Sequence, residues 1–147
     1  MEILNLGCGK NVRAGCINLD LTKHSDGVDI VHDLNVIPYP FEDDTFDEIF
    51  ALSVFEHLRP TLIETMNECW RIMKVKGIIH IKYPLDGSPT IADDPTHFWK
   101  WSVRTLDYLD PDTEYGREYG FYTPYKWQIL ERTKHKNLSV HAKLAKI

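Results

Sequence analysis

Long apolar runs are missing from this 147-residue sequence. Nothing approaches the roughly 20 apolar residues needed to cross a bilayer, and Glu2 and Asn5 interrupt any signal-like segment at the start. A cytoplasmic protein with no membrane association is expected. Cysteine is scarce: Cys8, Cys16 and Cys69 are odd in number and contain no CxxC pair, which excludes a disulfide framework and a zinc ribbon. A surplus of positive charge is also lacking. At a formal net charge of −5 the chain does not carry the excess of lysine and arginine with which proteins neutralise phosphates, so bulk nucleic acid is not an expected partner. Lys134, His135, Lys136, Lys143 and Lys146 do crowd the C-terminal end, and a solvated charged edge accounts for them.

What the chain does contain is a globular composition, 43% hydrophobic, at a length that one domain and one core accommodate. Short apolar runs at Glu2–Leu6, Cys16–Leu19, Val28–Val31, Asp47–Ser53 and Val75–Tyr83 read as buried strands. Between the last two, Leu62, Ile63, Met66, Cys69, Trp70 and Met73 recur at helical spacing. Pro60 suits the first turn of that helix, and Lys74 and Lys76 suit its end. Strand, helix, strand is a βαβ crossover and implies a parallel sheet whose active edge lies at the strand C-termini. Trp127–Lys134 and Leu138–Leu144 flank the turn-like His135-Lys136-Asn137 and read as a hairpin. The expected fold is α/β: a Rossmann-like, mostly parallel sheet ending in an antiparallel hairpin, with reduced helical covering, forming one domain over residues 1–147.

After the first strand, Gly7-Cys8-Gly9 permits close backbone approach and positive φ. Such a turn is common on its own. Asp20, at the end of the second strand, adds a carboxylate able to accept both hydroxyls of an adenosine ribose, and Asp33 after the third strand stands where an adenine amino group would lie.

The ordered motifs 4-LNLGCG-9, 15-GCINLD-20, 32-HDL-34 and 46-FDEIFALSVFEHL-58 resemble the class I S-adenosylmethionine-dependent methyltransferases, most closely the small methyltransferase type 11 kind. The resemblance implies S-adenosylmethionine as cofactor and a methyl transfer to an acceptor that the motifs do not identify. It implies that Gly7, Cys8 and Gly9 pass beneath the methionine part, that Asp20 and Leu21 hold the ribose, that Asp33 and Leu34 border the adenine, and that Ser53, Phe55, Glu56 and His57 lie near the sulfonium. Asn5 occupies the position of the family's first acid, where an amide can still hydrogen-bond the cofactor.

Only Lys10 to Gly15 separates the glycine turn from the second strand, too few for an ordinary crossover helix. That helix should be one turn or absent, which disfavours a nicotinamide-dependent reductase because a pyrophosphate seeks a helix N-terminus. The loss should also leave apolar sheet surface uncovered, so a homodimer or a partner protein is expected. A binding module that retains the fold without turnover, working with such a partner, is the main alternative.

Among the residues able to do chemistry, His57 beside Glu56 suits proton acceptance from a substrate hydroxyl or amine. In 91-IADDPTHFWKW-101, Asp93, Asp94 and His97 lack a fourth ligand, so no metal site is assigned. An Asx turn from Asp94 with His97 pointing into the cleft is expected. Phe98, Trp99 and Trp101 precede an expected helix over Ser102–Leu109 and suit either core packing or substrate stacking. Tyr115, Tyr119, Phe121, Tyr122 and Tyr125, interleaved with Gly116 and Gly120, suit a lid or a plain connector.

Overall fold

A computed structural model describes residues 1–147. Five parallel strands and an antiparallel hairpin make one seven-stranded sheet in the order β3-β2-β1-β4-β5-β7-β6. The strands are β1 (Ile3–Leu6), β2 (Ile17–Asp20), β3 (Ile30–Val31), β4 (Phe46–Leu52), β5 (Met73–Pro84), β6 (Trp127–Lys134) and β7 (Ser139–Lys146). Strand order reverses between β1 and β4, which pair with Leu4 beside Ile49 and Leu6 beside Ala51. A crevice at such a reversal is where sheets of this kind hold ligands.

Only the β4–β5 crossover carries a full helix, α1 (Leu62–Ile72). Thr61 caps it reciprocally with Glu64: the Thr61 hydroxyl accepts the Glu64 N–H at 3.2 Å, and the Glu64 carboxylate accepts the Thr61 N–H at 2.8 Å. Pro60 therefore lies before the cap and not in the first turn. The helix passes directly into β5 at Met73, so Lys74 and Lys76 belong to the strand and do not compensate the helix end. Met66, Cys69 and Ile72 are fully buried against the sheet, each contributing about 1.5–3 kcal/mol by removal from water. Glu68, also buried, pairs with Arg71 at 2.5 Å and accepts the Tyr39 N–H at 2.7 Å, tying the turn before β4 to this helix.

The two faces of the sheet differ in chemistry. Leu4, Leu6, Leu19, Ile49, Ala51, Ile79, Ile81, Tyr83, Val140, Ala142 and Leu144 are all buried on the face that α1 covers. Their neighbours Asn5, Asn18, Glu48, Phe50, His80, Lys82, His141 and Lys143 alternate onto the other face, as the period of two requires. No helix covers that face between β1 and β2. It is polar where an apolar surface was expected: His80 pairs with Glu48 at 2.6 Å and stacks on Phe50, and the Arg13 guanidinium sits 4.1 Å from the Phe50 ring centre. The apolar residues on this face, Phe50 and Leu52 among them, are interspersed with Glu48, His80, Lys82, His141 and Lys143, and Phe50 is sandwiched between Arg13 and His80.

Past β5, α2 (Pro89–Asp93) is a single short helix, and Thr105–Leu109 is a 3-10 turn in place of the longer helix expected over Ser102–Leu109. The tyrosine-rich segment forms α3 (Glu114–Tyr119), whose Tyr115 and Tyr119 pack ring to ring with Tyr108 and Tyr122 from the 3-10 turns on either side. Gly116 is required there, because a Cβ would stand 1.7 Å from the Asp110 carbonyl oxygen. Two of the basic C-terminal residues are paired: Lys146 is buried and bonds Asp44 and the Met73 carbonyl at 2.6 Å, and Lys143 pairs with Glu131 at 3.0 Å, while Lys134 and Lys136 are exposed. No helix is long and apolar enough to cross a membrane.

Candidate functional site

The glycine turn leaves β1 with Gly7 at φ +58° and Gly9 at φ +53°, a backbone that L side chains adopt at a cost. The two glycines serve different ends. A Cβ on Gly7 would lie 2.2 Å from Val54 Cγ2, so this residue is small in order to pack against the end of β4. At Gly9 nothing stands within 4 Å of where a Cβ would be, and the backbone faces open space.

Asp20 closes the turn from the neighbouring strand. Its carboxylate accepts the Gly9 and Leu21 N–H groups, both at 2.8 Å. With the β1–β2 helix absent, this carboxylate holds the loop in shape. The His24 ring meets the Gly9 carbonyl and lies 3.9 Å from Asp20, a neighbour that no motif signalled. Asn5, buried, donates to the Asn11 carbonyl at 3.0 Å and to Asn18 Oδ1 at 2.9 Å. Both amide hydrogens are thereby committed to propping the short loop, while the residue still borders the cleft. Burial raises the Cys8 thiol, with the Asp20 carboxylate adding to the effect.

Three hollows adjoin at the C-terminal ends of β1 and β4. One, of about 690 Å³, is bordered by Asn5, Gly7, Cys8, Gly9, Ser53 and Lys82. A second, of about 250 Å³, runs past Gly7, Asp20, Leu21, Asp33, Leu34 and Ser53 to His57. The third, of about 290 Å³, is bordered by Ser53, Glu56, His57, Lys82, Asp94 and His97. Ser53 belongs to all three and sits at φ +58°, held by its N–H on the Lys82 carbonyl at 2.9 Å. A non-glycine residue in the left-handed region is uncommon, and strain of this kind concentrates at functional positions. Asp33 accepts the Asn35 N–H at 2.9 Å in a local turn and presents its carboxylate to the second hollow.

The third hollow brings together residues 40 positions apart in the chain. The Phe98 N–H donates to the Glu56 carbonyl at 2.9 Å and Trp99 Nε1 donates to the Leu58 carbonyl at 2.7 Å, clamping the 94–99 segment onto the turn Phe55–His57. The His57 and His97 rings then meet edge to face, centres 4.5 Å apart. Glu56 is 1% exposed, and burial pushes its carboxyl up to about 7. Burial, then the proximity of His97, depresses His57 below the ordinary histidine value. Asp94 forms the expected Asx turn, accepting the Thr96 N–H at 2.9 Å, and these bonds hold its carboxyl below the usual range. Asp93 is exposed and takes no part. Of the aromatic trio, Trp101 is core, Trp99 anchors the segment, and Phe98 is half exposed beneath Arg59. Lys82 and Thr96 belong to this site although sequence reasoning gave them no part in it, whereas Asp94 stands where its expected turn put it. The alternation of β5 put Lys82 on the hydrophilic side, which was the available signal.

Residues 4–81 match the family model described as a methyltransferase domain. No curated protein matches the sequence. Among solved structures, the complex between the Haloferax volcanii Trm112 methyltransferase activator and its methyltransferase aligns at TM-score 0.68 and 15% identity over 98% of this chain and 81% of that one. A SAM-dependent methyltransferase from Archaeoglobus fulgidus aligns at TM-score 0.65 and 19% identity, covering 99% and 86%. One from Thermotoga maritima gives TM-score 0.69 at 12% identity, covering 99% and 82%. At these identities the likeness is one of fold.

Proposed function

The chain belongs to the methyltransferase domain family and is a class I S-adenosylmethionine-dependent methyltransferase, and on that premise we propose that its three adjoining hollows divide the labour of the reaction. The junction at Ser53 is the observation that carries this reading, because one position there touches the spaces for both halves of the cofactor and for the acceptor. The donor set fits the cofactor: the turn at Gly7–Gly9 with its open Gly9 face, a ribose carboxylate in Asp20 with Leu21 beside it, and Asp33 with Leu34 for the adenine. When bound, S-adenosylmethionine supplies a methyl group on a positively charged sulfur.

The protein's contribution is chiefly placement. Methyl transfer requires the nucleophile, carbon and leaving sulfur in line, and orientation alone lowers such barriers by several kcal/mol. Ser53 fixes where the two sides meet. Glu56, His57 and His97 form the acceptor end, with His57 placed to take a proton from an acceptor hydroxyl or amine. Residues 1–147 act as one domain in this reading.

A partner protein or second copy is also part of the proposal. The Haloferax neighbour is held in a complex with an activator, and here the hydrophilic open face around Phe50, His80 and Lys143 is the surface such a chain would use. The test is calorimetric titration with S-adenosylhomocysteine. Binding by the wild type that fails in Asp20→Ala supports the cofactor site. NADH binding without S-adenosylhomocysteine binding would refute it.

A further inference from the structure

The acceptor hollow contains polar atoms that its own protein environment leaves unsatisfied. Glu56 Oε2 and His97 Nδ1 are both buried with no hydrogen-bond partner, although the side chains are only about 1% and 7% exposed. Leaving such atoms unpaired costs about 1–3 kcal/mol each. Ligand atoms of Glu56, His57 and His97 lie within 4.8 Å of one another.

The proton positions follow from a single hydroxyl. Thr96 Oγ1 donates to Asp94 Oδ1 at 2.6 Å, and its only proton is used there. At 2.7 Å from Thr96 Oγ1, His57 Nδ1 must then be the donor, which leaves Nε2 as a bare lone pair. His97 turns Nε2 toward Asp94 Oδ2 at 3.6 Å, so the same carboxylate favours a proton on that nitrogen and a bare Nδ1. One aspartate thus fixes the tautomer of two imidazoles, one through Thr96 and one directly, leaving each with one bare nitrogen, as carboxylates behind metal-ligating histidines do.

We propose that Glu56, His57 and His97 form a site for a divalent transition-metal ion of the zinc type, at the acceptor end of the cleft. Two neutral imidazoles and one carboxylate are the donor set of catalytic zinc and of facial-triad iron sites, and both keep positions open to exogenous ligands. Ligands about 2.0–2.2 Å from an ion lie roughly 3.3–3.6 Å apart in tetrahedral geometry, so side-chain rotations of about an ångström close the present spacing. Lys82 borders the hollow and opposes a cation, whereas Asp94 adds a compensating negative charge. Positions left open on such an ion would favour a small acceptor with an oxygen donor. This inference rests on the placement of the acceptor given above, and it replaces proton acceptance by His57, whose one lone pair the ion would hold.

A second grouping, Cys8, Asp20 and His24, offers weaker chemistry. Its thiol is raised by burial and its carboxylate is already engaged by two backbone N–H groups. A thiolate ligand is spectroscopically distinct, so cobalt separates the two.

The experiment titrates Zn²⁺ into chelator-stripped protein against a chromophoric competitor, with S-adenosylhomocysteine binding measured on the same sample. About one equivalent should bind, weakened at least about 10- to 100-fold in His97→Ala and Glu56→Gln, and about tenfold in Thr96→Val, which removes the hydroxyl that sets the His57 tautomer. Circular dichroism checks that each variant is folded, and wild-type protein loaded with Co²⁺ should show ligand-field bands without an intense sulfur-to-metal transition. Absence of Zn²⁺ binding, binding unchanged in all three variants, or a strong thiolate transition overturns the metal site. If S-adenosylhomocysteine binds and zinc does not, only this inference falls. If S-adenosylhomocysteine does not bind either, the functional reading falls with it.

Discussion

At the scale of single residues, the site uses several side chains twice. Asp20 closes the glycine loop through the Gly9 N–H and also faces the hollow assigned to the ribose. Asp20→Ala should therefore lower S-adenosylhomocysteine affinity about 10- to 100-fold, the loss of one or two hydrogen bonds to a charged group, read by calorimetry. Gly7 makes a complementary case. Gly7→Ala places a methyl 2.2 Å from Val54 Cγ2 on a left-handed backbone, and should cost about 2 kcal/mol or more in urea unfolding. Val54→Ala removes the nearest clashing atom, so the double variant should recover part of that loss. Additive losses would show that the close approach of Gly7 to Val54 is not what constrains the turn.

At the scale of elements, α1 stands alone as the crossover helix and depends on its start. Thr61→Ala removes the hydroxyl that accepts the Glu64 N–H and should cost about 1 kcal/mol. The reciprocal Glu64 carboxylate is held below its ordinary value by the Thr61 backbone and side-chain donors. A depressed acid stabilises the fold above its unfolded value, and that contribution disappears as pH falls through the folded one. The stability difference between wild type and Glu64→Gln should thus be present at neutral pH and vanish in acid, measured by urea unfolding across that range. Where two strands follow each other with no helix, Asn5 and Asn18 carry the load by hydrogen-bonding the intervening loop. The family's acidic position has here become a structural amide.

At the scale of the whole molecule, one covered and one open sheet face determine how the chain meets others. Expected exposure of apolar sheet was the argument for a dimer, and the open face instead carries Glu48, His80, Lys82 and Lys143. Association through it should be salt-sensitive. Sedimentation at tens of micromolar that gives a monomer at low salt would remove the homodimer and leave a different partner chain. Cofactor binding should be visible globally as well. At S-adenosylhomocysteine about a hundredfold above its dissociation constant, folding stability should rise by about 2.7 kcal/mol, a shift of several degrees in Tm by calorimetry, and NADH should produce none.

The sequence by itself determined the strand series, the hairpin and the order of the cofactor motifs. Each of these is local: short apolar runs, a glycine pair, an acid at a strand end. It also exposed the missing first helix, because the six residues from Lys10 to Gly15 cannot hold one. The start and end of α1 were less legible, since Thr61 and Glu64 act as a pair and Met73 goes directly into a strand. Only the tertiary structure decided what Asn5 bonds, that charged side chains and Arg13 screen the apolar residues of the bare sheet face, and that His97 arrives beside Glu56 and His57. The physical reason is distance along the chain: the backbone bond from Phe98 to Glu56 and the one from Trp99 to Leu58 join segments that no local pattern connects.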